Sequence, residues 1–120
     1  MKPNPRACVA YIAGCRITGR SSSAVYDFSR SKHVLISGSL QDNNVNIYDH
    51  DQGCHISGSI NEKHLSLYHH GDSHSIDLRI AGNTFSGYDH GTSSHFSGSV
   101  SGGTVTLYDH GESSHFTFSI

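Results

Sequence analysis

Hydrophobic and polar residues alternate along most of the chain, and the alternation restarts every twenty residues, marked by Tyr48, Tyr68, Tyr88 and Tyr108. In the last unit Val105 and Leu107 fall on one side, Thr104, Thr106, Tyr108 and His110 on the other, and Phe116, Phe118 and Ile120 return to the apolar side. A period of two with one greasy and one polar face is the signature of a half-buried strand. No window shows helical spacing, and the β-branched and aromatic content supports strands. Five units begin near Ala24, Asn44, His64, Thr84 and Thr104, each holding two alternating segments.

The connections say how these strands join. Between units the central dipeptides are Asp42-Asn43, Glu62-Lys63, Gly82-Asn83 and Gly102-Gly103. Three of them are typical of the tight primed turns that close antiparallel hairpins. Counting back from these turns places Leu40 opposite Val45, Ile60 opposite Leu65, Ile80 opposite Phe85 and Val100 opposite Val105, apolar on apolar each time. Within a unit, a loop over residues 111–114 places His110 opposite His115 and keeps the same face apolar; a one-residue slip would invert the faces. Tyr26 lies two residues further from Ser37 than its counterparts lie from theirs, which predicts a longer first loop around residues 29–32.

Residues 1–7, with Pro3 and Pro5 and no pattern, read as an N-terminal tail, and residues 8–120 as a single β-repeat domain. Residues 8–19 form an apolar segment whose end resembles a degenerate half-repeat, so it is expected as a first strand. The fold class is then all-β: an antiparallel up-and-down meander of about eleven short strands, closed or curled into a barrel, since open twisted sheets rarely exceed about ten strands. Gly38, Gly58, Gly87 and Gly98 fall on the apolar face, where a missing side chain permits sharp bending. The alternative is a two-sided β-solenoid. Stacked coils would hold Asp89 and Asp109 about 4.8 Å apart in an unfavourable carboxylate ladder, whereas a meander separates them by roughly 9 to 10 Å.

Only 34% of the 120 residues are hydrophobic and Trp is absent, a balance that by itself could mean disorder. Fixed offsets of Val, Ile, Leu and Phe argue against that. Net charge is −2, and the eight Lys and Arg form no basic stripe, so nucleic acid is not an expected partner. Protonating all eleven His would carry the charge to +9, so the surface charge changes steeply below neutral pH. Cys8, Cys15 and Cys54 give no disulfide framework and read as reduced thiols of a cytoplasmic protein. The alternative is a lipid-anchored or exported protein, with Cys15 as a lipoprotein-type cleavage site. No run is long enough for a transmembrane helix.

Three rows carry candidate chemistry. His50 with His55, His90 with His95, and His110 with His115 are expected to face each other across hairpins, with Cβ atoms about 5 Å apart. Two imidazoles so placed make a weak site for Zn²⁺ or Cu²⁺; otherwise they are half-exposed side chains stacked on tyrosines. Asp27, Asp49, His69, Asp89 and Asp109 fall on the apolar face at one end of the sheet, either as a ring at a barrel mouth or as residues that start turns by bonding backbone amides. Tyr26, Tyr48, Tyr68, Tyr88 and Tyr108 fall on the polar face beside Ser37, Ser57, Asp77, Ser97 and Thr117. Such regular aromatic plates can bind a sugar chain or a protein surface, or merely pack across strands.

No nucleophile elbow, phosphate-cradling glycine loop or Cys-x-x-Cys pair is present, so no enzyme and no obligatory cofactor are expected. The third repeat, with His69, His70, His74, Asp77 and Arg79, breaks the symmetry most. The sequence therefore predicts a non-enzymatic repeat protein whose Tyr/His/Ser face contacts a protein or a glycan. The alternatives are a self-assembling module that uses the C-terminal strand as an edge, or a metal- or pH-responsive protein working through the His pairs.

Overall fold

The computed structural model describes residues 1–41 and 43–120. Among these, one helix, α1 (Pro3–Thr18), precedes ten strands: β1 (Ala24–Asp27), β2 (Lys32–Ser39), β3 (Asn44–Asp49), β4 (Cys54–Asn61), β5 (His64–His69), β6 (His74–Ala81), β7 (Thr84–Asp89), β8 (Ser94–Ser101), β9 (Thr104–Asp109) and β10 (Ser114–Ser119). Every strand pairs antiparallel with its neighbours in sequence, and β10 closes on β1 through Tyr26↔Ser119 and Asp27↔Phe118. The fold is a closed, ten-stranded up-and-down β-barrel with one N-terminal helix. The solenoid alternative is thereby rejected.

The tight turns hold the expected register: Ile60↔Leu65, Ile80↔Phe85 and Val100↔Val105 are opposed. The turn expected at Asp42-Asn43 includes Asp42, which lies outside the described residues. Inward positions such as Ile47, Ile56, Leu65, Leu78, Leu107 and Phe118 are almost wholly buried, while their outward neighbours are polar. A polar wall around an apolar lumen is the inverse of the pattern by which β-barrels cross bilayers. No described helix is long and apolar enough to cross a membrane.

The glycines on the inner face let the wall bend. A Cβ on Gly58 would stand 2.0 Å from the Ser66 carbonyl oxygen, and one on Gly98 would stand 2.2 Å from that of Thr106. Only glycine allows strands to approach so closely. Phe85 and Phe96 lie over the bare backbone of their partners Gly98 and Gly87, replacing the missing side chains with aromatic cover.

Three expectations need correction. Residues 8–19 are not a strand and residues 1–7 are not a tail: Pro3 opens a helix and Gly19, at φ 73°, ends it. Pro in the first turn and a left-handed Gly just past the last are ordinary helix boundaries. Every residue from Pro5 to Cys15 is buried, and they share one core with the inward strand residues, so the helix runs through the lumen. A helix covered on all sides needs no polar face, and this one has no amphipathic stripe. Gly14 marks its tightest contact, where a Cβ would come 2.8 Å from Ile120 Cδ1 and 3.0 Å from Val105 Cγ2. The Tyr11 hydroxyl ties the helix to the barrel by donating to the Ser22 carbonyl at 2.6 Å.

The second correction concerns the loops within repeats. Asp109 pairs with Ser114 and Tyr108 with His115, so the loop is residues 110–113 rather than 111–114. The cause is the Asp carboxylate: Oδ1 of Asp109 accepts the Gly111 N–H at 3.0 Å and starts the turn one residue earlier. The register moves by two, so the faces are unchanged. The third concerns the first loop, which is no longer than the others: Asp27 pairs with Lys32 across residues 28–31. The two extra residues lie within β2, between His33, which faces Tyr26, and Ser37, which faces Tyr48; the register of β2 against β3 is the common one, Ile36 meeting Asp49 as Ile56 meets His69.

Candidate functional site

The tyrosine row forms a belt on the outer wall. Tyr48 lies across from His55 on β4 and from Ser37 on β2, and the same pattern places Tyr68 beside Ser75 and Ser57, Tyr88 beside His95 and Asp77, and Tyr108 beside His115 and Ser97. The His pairs therefore do not face each other. In each full set a tyrosine has one histidine across the hairpin and another two residues further on, just past the end of its own strand. Around Tyr48 the centroids of His50 and His55 lie at 4.8 and 4.7 Å; around Tyr88 those of His90 and His95 lie at 4.9 and 4.7 Å; around Tyr108 those of His110 and His115 lie at 4.7 and 4.6 Å. Most contacts are edge-on, the geometry favoured by aromatic quadrupoles.

In three repeats the histidine following the tyrosine turns toward the preceding strand. Nε2 of His50 meets Ser37 Oγ at 2.8 Å, Nε2 of His70 meets Ser57 Oγ at 2.7 Å, and Nε2 of His90 meets Asp77 Oδ2 at 2.9 Å. Its lone pair or proton is thus committed away from the histidine on the following strand. His50/His55, His90/His95 and His110/His115 act as clamps on a tyrosine ring, and the expectation of facing imidazoles is replaced by that arrangement.

Asp77 breaks the regularity of the belt. It stands where the neighbouring repeats have Ser57 and Ser97, takes His90 at 2.9 Å and has His64 at 3.6 Å, and Arg79 follows two positions on. Arg79 lies opposite Ser86, which lies opposite Ser97, so small residues leave a depression between Arg79 and the rings of Tyr88 and Tyr108. This hollow, of about 670 Å³, is lined by His64, Asp77, Arg79, Tyr88, His95 and Ser97, among others. A second hollow of about 730 Å³ at Ser57, Ser66 and Tyr68 shares Asp77 with it. A third, of about 640 Å³, shares Arg79, Ser86 and Ser97 and ends at Tyr108 and His115. Together they form one trough along the belt, floored by serine and glycine and edged by aromatic rings.

At the other functional row, the inner Asp residues combine the two roles the sequence left open. Oδ1 of Asp27 accepts the Ser29 amide at 3.0 Å, Oδ1 of Asp49 that of Asp51 at 2.8 Å, and Oδ1 of Asp89 that of Gly91 at 3.0 Å. The second oxygen of two of them points to the helix. Asp49 Oδ2 takes Asn4 Nδ2 at 3.0 Å, and Asp109 Oδ2 takes Arg6 Nη1 at 3.3 Å and the Met1 ammonium at 2.9 Å. Acids at a helix N-terminus also suit its dipole. Burial pulls the Arg6 guanidinium below its ordinary pKa, and Asp109 opposes that. For Asp27 burial acts against ionisation, yet hydrogen bonds from Ser29 and Arg30 hold its carboxyl below the usual range. Asn4 and Arg6 lie in the segment read as a tail; only the Pro3 and Gly19 boundary residues in the sequence pointed to them.

These features define a helix-plugged up-and-down barrel with an aromatic trough on its outer wall. No protein-family model, curated protein or solved structure matches this chain.

Proposed function

We propose that the protein is a non-enzymatic binding module whose outer trough holds an extended, hydroxyl-rich polymer, a glycan. The observation that carries this reading is the continuity of the three hollows across β4 to β10, along a belt of clamped tyrosines. A sugar ring offers an apolar C–H face to an aromatic plate and hydroxyls to carboxylate, guanidinium and serine partners, and Tyr88, Asp77, Arg79 and Ser97 supply those groups around one hollow. Clamping of the rings by histidine lowers the ordering cost of binding. Repetition favours a ligand that is itself repetitive, whereas catalysis needs one asymmetric constellation. The self-assembly alternative loses its open edge, because β10 is paired with β1.

Trp is absent and Tyr11 lies in the lumen, so tyrosine fluorescence reports largely on the belt. Titration with a panel of chito-, cello-, xylo- and malto-oligosaccharides is expected to give a saturable change with at least one, growing tighter with chain length. Tyr88→Ala and Arg79→Ala are each expected to weaken it at least tenfold. No saturable response across the panel, or binding indifferent to both substitutions, would overturn the reading.

A further inference from the structure

The repeats compare themselves at the mouth of the barrel. In the fourth repeat Thr92 Oγ1 bonds Asp89 Oδ2 at 2.8 Å and Ser94 Oγ at 2.8 Å, so the trio 89, 92 and 94 is closed by its own hydrogen bonds. The third repeat places His69, Asp72 and His74 at the same three positions. That trio is not closed. Asp72 Oδ2 stands 3.6 Å from His74 Nε2 and 3.9 Å from His69 Nδ1, too far for hydrogen bonds to either. It is buried and has no hydrogen-bond partner among the described residues. Such an oxygen is costly unless something compensates it.

We propose that His69, Asp72 and His74 bind a divalent transition metal ion of the Zn²⁺ type. Their donor atoms form the one group of three His, Cys, Asp or Glu ligands found within 4.8 Å of one another among the described residues. Zn–N and Zn–O bonds of about 2.0 to 2.2 Å in a tetrahedral arrangement hold donor atoms about 3.3 Å apart. The two spacings from Asp72, 3.6 and 3.9 Å, lie near that value, and all three donors lie within 4.8 Å of one another, so side-chain turns of the two histidines would close the set around an ion. The two imidazoles are nearly parallel, 13° apart with centroids at 5.6 Å, so neither ring blocks the other.

The surroundings supply the supporting contacts that such ligands use. Asp72 Oδ1 accepts Gln52 Nε2 at 3.0 Å, which leaves Oδ2 free to turn inward. Asp89 Oδ1 stands 3.2 Å from Nδ1 of His74, a buried nitrogen with no hydrogen bond among the described residues, so a small turn of the ring would complete the carboxylate–histidine pairing that supports a metal ligand. His69 Nδ1 now accepts the Asp72 amide at 3.1 Å, and an ion would take over that lone pair. His69 is fully buried while the side chains of Asp72 and His74 are 12% exposed, so the site is reached from the rim.

Titration of the metal-free chain with ZnSO₄ by calorimetry, and with CoCl₂ by visible absorption, tests this. One ion per chain is expected, with Co²⁺ giving the intense d–d bands of a four-coordinate site, and bound Zn²⁺ should raise the melting temperature. Asp72→Thr with His74→Ser copies the fourth repeat, so the double variant keeps a turn that this chain already folds. It is expected to weaken Zn²⁺ by more than the roughly 10- to 100-fold that loss of a supporting residue costs. Joint replacement of His90, His95, His110 and His115 by Ala is expected to leave binding intact. Absence of saturable binding would overturn the proposal, and so would binding that survives the double variant or is lost with the four outer histidines.

Discussion

The guanidinium of Arg6 and the carboxylate of Asp109, 103 residues apart in sequence, meet at 3.3 Å inside the mouth of the barrel, with side chains 6% and 0% exposed. Arg6 also donates to the Met1 carbonyl at 2.8 Å and lies 3.5 Å from the centre of the Phe116 ring. One contact thus locks the helix to the penultimate strand and orients it along the lumen. Removing one member of a buried pair strands the other charge, at about 3 to 5 kcal/mol. Asp109→Asn strands both Arg6 and the Met1 ammonium, so it is expected to lower the urea-unfolding free energy by at least that amount, and Arg6→Met in the same chain to recover the part due to Arg6. A double-mutant cycle that shows no coupling would mean that the pair does not anchor the helix.

The inner glycines should be intolerant of even one methyl group. Gly58→Ala places a Cβ 2.0 Å from the Ser66 carbonyl oxygen, a backbone atom that moves only if the strand moves. Forcing such a contact costs about 1 to 3 kcal/mol or more. Gly82→Ala, in a turn with nothing within 4 Å of its Cβ but φ at 63°, isolates the effect of backbone conformation alone. Thermal denaturation followed by circular dichroism should rank Gly58→Ala as the more damaging.

The three thiols report on the plug. Cys8 and Cys15 are buried on the helix and Cys54 is buried against Gly71 on the wall. Burial raises the thiol pKa of all three. Thiolate is the reactive form, so native protein at pH 7.5 should react with a disulfide reagent only as fast as it opens. Cys8 and Cys15 are expected to react together, since both need the helix to leave the lumen; mass spectrometry of partly labelled chains would show whether they do.

Stability should fall as the solution is acidified through the histidine range. Burial lowers the pKa of His69, so it stays neutral in the barrel while the same residue in the unfolded chain titrates near its ordinary value of 6.5. Between 6.5 and the lower folded value the unfolded chain holds the extra proton. The contribution is complete above that window and declines within it by up to about 1.4 kcal/mol per pH unit. His69→Asn keeps an acceptor for the Asp72 amide and removes the titration. Its urea midpoints are expected to vary less between pH 7 and 5 than those of the unaltered chain.

Processing at Cys15 would carry a structural consequence. The residue lies in the last turns of the helix, so cleavage there would take the plug out of the barrel. An expressed fragment beginning at Cys15 is expected to expose the apolar lumen and bind a hydrophobic dye, which the full chain should not.

How much of this was legible without coordinates follows from the range of each interaction. Alternation of Val105 and Leu107 with Thr106 and Tyr108, and the Gly102-Gly103 turn, are local, and they determined strand direction, the tight-turn registers and which face is apolar. The inner glycines signalled closure because a wide sheet has few other ways to end. The Asp row was placed on the inner face by parity alone. The helix was not legible by periodicity: a segment surrounded by apolar wall has no polar stripe, so Ala7, Cys8, Val9 and Ala10 look the same as a strand. Whether a barrel needs such a plug depends on the number of strands and their curvature, quantities that exist only once all ten are assembled. The partners of Asp109, the clamping of Tyr88 by two histidines, and the open oxygen of Asp72 between His69 and His74 were likewise decided by the tertiary structure. Each joins side chains whose distance depends on register and bend rather than on neighbours in sequence.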